Sequence, residues 1–119
     1  MNDVKEYFGV ENSVGVAYSQ AVRVKDTVYI SGQGPNTLEC SAEEQVRQTL
    51  ENVRSVLAEV GLDLRDVVKV TAILNYDYVT PQLFEKVYTE YFQSPYPART
   101  VVRSDIGFNV QIDVVAIIE

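Results

Sequence analysis

Apolar residues recur every three or four positions in two stretches of the chain, which is the spacing of one face of an α-helix. In the first stretch the apolar positions are Val46, Leu50, Val53, Leu57 and Val60. Ser41 and Glu44 form a capping-box pattern before this run, and Gly61 follows it as a helix stop. We therefore predict a helix that begins after Ser41 and ends before Gly61.

The second helical stretch follows Thr80, a residue type that caps helix N-termini, and begins with Pro81, which favours the first helical position. Its apolar stripe consists of Leu83, Phe84, Val87, Tyr88 and Tyr91. Pro95 and Pro97 then end the pattern, because proline cannot continue a helix.

Other segments have the β-branched composition of strands. Ala21–Val24 and residues 27–31 predict a hairpin with its turn at Lys25-Asp26. The glycines and the proline of residues 32–36 predict a loop after this hairpin. Val67–Leu74 is nearly continuous in apolar residues, so we expect a central strand that is covered on both faces.

The end of the chain predicts two more strands, over residues 100–103 and 110–118, around a turn near Gly107. The last strand has apolar residues on both of its sides. A domain of 119 residues cannot cover both sides of such a sheet by itself, so we predict that the chain self-associates. The whole pattern favours an α+β fold, with one domain over residues 1–119 and two helices on one face of a mostly antiparallel sheet.

Composition and charge exclude several classes of function. The chain has no histidine, so no Ser-His or Cys-His nucleophile pair can exist, and zinc and non-haem iron lose their commonest ligand. The formal net charge of −7 weighs against a nucleic-acid partner. Cys40 is the only cysteine, so no intrachain disulfide can form. We see neither a secretory signal nor a membrane span, and we expect a cytoplasmic protein.

Two charged residues are the main candidates for chemistry. Arg99 opens a predicted strand beside apolar neighbours, where a guanidinium can hold a ligand carboxylate or form a structural ion pair. Asp113 lies inside an apolar strand, where a carboxylate is costly unless it holds a water molecule or pairs with a cation. If the last two strands form a hairpin centred on Ile106, Arg99 stands opposite Asp113 on the same face of the sheet.

Weaker signals concern three other residues. The Tyr18 phenol can donate a hydrogen bond or form a pocket wall, and Gly32 lets the backbone approach a ligand closely. Cys40 precedes the cap of the first helix, but no base is evident as its partner, so we assign it no role.

In the order and spacing of several segments, the chain resembles the reactive-intermediate deaminase family, also written RidA or YjgF. The matching segments are residues 18–22, 29–33, 48–53, 67–71, 97–101 and 112–116, with Gly61, Phe84, Tyr88, Tyr91 and Phe92 between them.

The resemblance implies a chorismate-mutase-like α+β subunit, assembled as a homotrimer with its sites in clefts between subunits and without metal or cofactor. It also implies that Arg99 binds the substrate carboxylate. The reaction would be the hydrolysis of 2-imino acids, such as 2-iminobutanoate and 2-iminopropanoate, to 2-keto acids and ammonia. In the mechanism that we expect, Asp113 orients the attacking water, and Tyr18 and Gly32 line the pocket.

The chain departs from the family pattern at three positions of the expected pocket. Val101 stands where the best-known members have a cysteine, Asp113 where they have glutamate, and Glu85 where an asparagine is common on the second helix. These differences leave the exact imino acid open. They also leave open a non-catalytic trimer that binds small carboxylates, the RNA cleavage attributed to some relatives, and a chaperone-like or purely structural trimer.

Overall fold

The computed structural model describes residues 4–10 and 15–119. In this part of the chain, six strands and two helices follow one another in the order β1 (Lys5–Phe8), β2 (Ala21–Val24), β3 (Thr27–Gln33), α1 (Ala42–Glu59), β4 (Val67–Leu74), α2 (Pro81–Tyr91), β5 (Ala98–Arg103) and β6 (Val110–Ile117). The predicted helices and the predicted hairpin β2–β3 are confirmed. The loop predicted over residues 32–36 begins later, because Gly32 and Gln33 belong to β3.

The Ser41 and Thr80 side chains cap the two helices, but among the described residues the Glu44 side chain returns no bond to the Ser41 N–H, so only one half of the predicted capping box forms. Ser41 Oγ accepts a hydrogen bond from the backbone N–H of Glu44 at 3.0 Å, and Thr80 Oγ1 accepts one from that of Leu83 at 3.2 Å. After α1 the chain turns at Gly61, whose φ of +82° is the left-handed conformation that glycine tolerates best.

The strands form one sheet in the order β1-β2-β3-β6-β4-β5. All neighbours are antiparallel except β4 and β5, which are parallel. The predicted hairpin between the last two strands is therefore wrong, because β4 lies between β5 and β6. The observed order arises from α2, which connects β4 to β5 as a crossover and so brings β5 beside β4 in the same direction.

Both helices pack on one face of the sheet, and the hydrophobic core lies between these layers. The fully buried core residues include Val28, Val46, Leu50, Val53, Val70, Leu74, Phe84 and Ile112. The mostly antiparallel α+β architecture that the sequence predicts is therefore confirmed.

The opposite face of the sheet has no layer over it within the described residues. Tyr29, for example, is 52% exposed, and Val102 is 42% exposed. On β4 the side chains of Lys69, Thr71 and Ile73 are only half-buried, so the expected cover on both faces of this strand is wrong for a single copy of the chain. We call this surface the open face. Neither helix within residues 4–10 and 15–119 is long and apolar enough to span a membrane.

Candidate functional site

Arg99 lies on the helix face of the edge strand β5. Its register partner on β4 is Val70, which pairs in turn with Val114 on β6, and both of these valines point into the core. The guanidinium therefore lies over the aromatic side chains of α2, with Cζ 4.6 Å from the ring centroid of Tyr88 and 5.6 Å from that of Phe84. This arrangement holds the cation in place through cation–π attraction.

One carboxylate already contacts this cation. Arg99 Nη2 donates a hydrogen bond to Glu85 Oε1 at 2.9 Å. The Glu85 side chain is 56% exposed and that of Arg99 is 28% exposed. Among the described residues no other hydrogen bond from the guanidinium is present, so most of its donors stay available.

A cavity of about 320 Å³ opens beside the guanidinium and is lined by Glu85, Tyr88, Tyr96, Pro97 and Arg99. We call it the arginine cavity. Burial raises the pKa of Tyr88 to about 12, against the opposing effect of the Arg99 charge, so the phenol stays protonated at neutral pH. The cavity thus combines one cation, one exposed carboxylate and apolar walls, which suits a small organic carboxylate.

Asp113 lies on the other side of the sheet. Its register partner on β4 is Thr71, next to the partner of Arg99, so the two side chains project from opposite faces. They also stand two strands apart, or about 10 Å at the usual strand spacing. The prediction that Arg99 and Asp113 share one face is therefore wrong within one copy of the chain.

The surroundings of Asp113 favour its neutral form. Burial raises the pKa of Asp113, and the nearby Lys69 charge opposes this rise. Lys69 Nζ itself donates a hydrogen bond to Thr100 Oγ1 at 2.6 Å across the open face. A carboxylate with a raised pKa is a stronger base than an ordinary aspartate, which suits it to accept a proton from water.

Tyr18 and Gly32 lie together in a second cavity of about 570 Å³. We call it the glycine cavity, and its lining includes Tyr18, Gly32, Gly34, Phe108 and Gln111. A Cβ atom at Gly32 would lie 2.7 Å from the Gln111 side chain, so the absence of a side chain at Gly32 permits this approach. Gln111 precedes Asp113 by two positions on β6, and both therefore point to the open face.

The structure thus places four of the predicted site residues in two separate cavities. Arg99 and Glu85 line the arginine cavity, whereas Tyr18 and Gly32 line the glycine cavity, three strand spacings or about 14 Å away across the sheet. Val101 and Asp113 line neither cavity, and Val101 packs against the core.

Sequence reasoning missed Tyr88, Tyr96 and Gln111 as cavity residues. The helical spacing of Tyr88 matches that of the core residues beside it, and nothing in its pattern separates it from them. Gln111 could have been predicted as a site residue, because it is polar and lies on the same side of its strand as Asp113.

Comparison with known proteins agrees with this architecture. The sequence profile of the family described as Endoribonuclease L-PSP matches residues 11–118. The human 2-iminobutanoate/2-iminopropanoate deaminase is 36% identical over 109 residues, which cover 84% of this chain and 79% of the human protein. A RutC family protein of Pyrococcus abyssi is 36% identical over 107 residues, or 84% of each chain.

Solved structures include the same fold. RidA from the Antarctic bacterium Psychrobacter superposes with a TM-score of 0.79 at 33% identity and covers 87% of this chain and 90% of its own. With a profile match over nearly the whole length, relatives at this level of identity and a shared fold, the chain belongs to the Endoribonuclease L-PSP family, which is the family of YjgF and RidA.

Proposed function

We propose that this protein hydrolyses small 2-imino acids, such as 2-iminobutanoate and 2-iminopropanoate, to 2-keto acids and ammonia. The observation that carries the proposal is the Arg99 guanidinium, fixed over the rings of α2 and open to a cavity. A carboxylate already lies on it at 2.9 Å, which is the contact that a substrate carboxylate would take over. A relative named for this reaction shares 36% of the aligned residues.

The complete site requires a second copy of the chain. Arg99 and Asp113 lie on opposite faces of one sheet, so a single copy cannot bring both to one small substrate. The open face of the sheet needs a cover, and β5 places Arg99 at the sheet edge, where a neighbour can reach it. We therefore propose a homotrimer in which the arginine cavity of one copy meets the Asp113 surface and the glycine cavity of the next.

The chemistry needs only positioning and one proton acceptor. Arg99 holds the substrate carboxylate and fixes the imine carbon beside a water molecule. The water oxygen adds to this carbon while Asp113 accepts its proton and passes it to the nitrogen. In the resulting aminol, Asp113 carries the hydroxyl proton to the nitrogen as the carbon–nitrogen bond breaks, so that the carbonyl forms and ammonia leaves.

A non-catalytic trimer that binds small carboxylates is the second candidate. The Arg99–Glu85 pair supports this candidate equally, since both candidates need only a carboxylate on the guanidinium. Rate acceleration separates the two candidates, because a binding protein leaves the hydrolysis rate unchanged.

The test generates 2-iminobutanoate in the assay with an amino-acid oxidase and measures the release of 2-ketobutanoate. Wild-type protein should accelerate the release, and Arg99→Ala should abolish the acceleration. Arg65→Ala is the matched control, because Arg65 is exposed on the 3-10 turn Leu64–Asp66 and lies outside the arginine cavity. No acceleration by the wild type with several imino acids would refute the enzyme. Sedimentation as a monomer at assay concentration would refute the shared site.

A further inference from the structure

The Tyr88 hydroxyl is buried and without a partner. Among the described residues, it is the one buried side-chain oxygen or nitrogen that makes no hydrogen bond. The Arg99 guanidinium lies over the face of the ring and close enough to the hydroxyl to lower its pKa, but no hydrogen bond of good geometry joins the two side chains. A hydroxyl removed from water in this way destabilises the fold.

Packing alone does not explain this hydroxyl. Tyr88 stacks on Phe92 with ring centroids 4.5 Å apart and contacts Phe84 at 5.5 Å, one helical turn away on each side. Both neighbours in this row are phenylalanines, which fill their places without a polar atom. Phenylalanine at position 88 would keep the same ring contacts, so the hydroxyl calls for another role. Only this middle ring of the row lines the arginine cavity.

We propose that the Tyr88 hydroxyl is a ligand-binding group of the arginine cavity, which donates a hydrogen bond to the substrate carboxylate once Glu85 leaves Arg99. This inference rests on the proposed function, in which a carboxylate ligand takes the place of Glu85. One oxygen of the ligand would accept from Arg99 Nη2 and the other from the Tyr88 hydroxyl. The two donors therefore fix the plane of the carboxylate more firmly than the guanidinium alone.

The charges around the phenol agree with this role. Burial keeps the pKa of Tyr88 well above neutral, so the group is a donor at all physiological pH values. The Glu85 carboxylate lies near enough to raise the same pKa further. A ligand carboxylate in its place would strengthen the tendency of the hydroxyl to keep its proton.

Tyr88→Phe tests the inference, because it removes one oxygen atom and keeps the ring. The probe is 2-ketobutanoate, a stable carboxylate with the skeleton of the product, and its binding is measured by calorimetry alongside the deamination kinetics. We expect the Kd for 2-ketobutanoate and the KM for the imino acid to rise about tenfold, with kcat changed less than about twofold. The Tm should stay equal or rise, because a buried unpaired oxygen has been removed.

Tyr91→Phe is the matched control. Its hydroxyl donates to Glu51 at 2.9 Å and lies outside the arginine cavity, so ligand affinity should not change. Tyr88→Phe with the affinity of the wild type would overturn the inference and leave the proposed function intact. A wild type that neither binds 2-ketobutanoate nor accelerates deamination would overturn both.

Discussion

In the proposed site, Glu85 contacts Arg99 where the substrate carboxylate would bind, so its removal should strengthen substrate binding. Glu85→Gln keeps the size of the side chain and its ability to accept a hydrogen bond but removes the negative charge. We expect a lower KM for 2-iminobutanoate and an unchanged kcat, because Glu85 competes for the guanidinium without taking part in the bond changes.

The exposure of the pair sets the size of this effect. The two side chains are 28% and 56% exposed, so water screens their attraction strongly. Exposed ion pairs of this kind stabilise by about 0.2–1 kcal/mol. Since the substrate must displace Glu85 before it binds, removing the competition should lower KM by about 1.5-fold to fivefold. Added salt should reduce the difference between variant and wild type, because it screens the charge of Glu85.

The same coupled assay, with keto-acid release followed over a range of oxidase-generated imine concentrations, measures KM and kcat for both proteins. Glu90→Gln is the matched control, since Glu90 also lies on α2 but pairs with Arg47 at 2.8 Å, outside the arginine cavity. A higher KM in Glu85→Gln would contradict the reasoning and would make Glu85 a helper of binding. Equal KM values in the two variants and the wild type would show that Glu85 does not compete.

The remaining predictions concern Asp113, Gly32 and Gly61. Asp113→Asn should slow deamination by roughly a hundredfold, and Asp113→Glu should retain most of the rate. Burial raises the pKa of Asp113 in the folded state, so the ionised side chain destabilises the fold above that pKa. Asp113→Asn should therefore raise the Tm near pH 7. This gain in Tm should vanish at a pH low enough to protonate the wild-type side chain. Gly32→Ala should lower the deamination rate by forcing the Gln111 side chain into the glycine cavity, and Gln111→Ala in the same chain should restore part of the rate, which a four-member kinetic cycle would measure. Gly61→Ala should destabilise the fold by about 1 kcal/mol through its φ of +82°, with unchanged KM, as thermal melts and the assay would check.

The local parts of the fold could be predicted from the sequence. The caps at Ser41 and Thr80 act within one helical turn, and the β2–β3 hairpin depends on neighbouring residues. Strand β1 was missed, because Lys5–Phe8 is an exposed edge strand whose side chains need no apolar alternation. The pairing of β5 was also missed, since it depends on where the α2 crossover places the chain.

In the candidate site too, local features could be predicted from the sequence and long-range ones could not. Arg99 and Asp113 stand out as charged residues among apolar neighbours, and that contrast is visible in sequence. Which face each one occupies depends on strand register, and β4 inserted between them reverses the relation that a hairpin would give. The row of rings under Arg99 could not be recognised, because core tyrosines and cavity tyrosines have the same helical spacing.

The placement of Arg99 and Asp113 on opposite faces of one sheet has a genetic consequence. If each site takes its arginine from one subunit and its aspartate from a neighbour, a chain without the arginine and a chain without the aspartate each lack a different half of the site. Trimers that contain both kinds of inactive chain would have some intersubunit sites with an intact arginine and an intact aspartate, and these sites would be active. Two recessive lesions in this protein could therefore complement each other within a single cell.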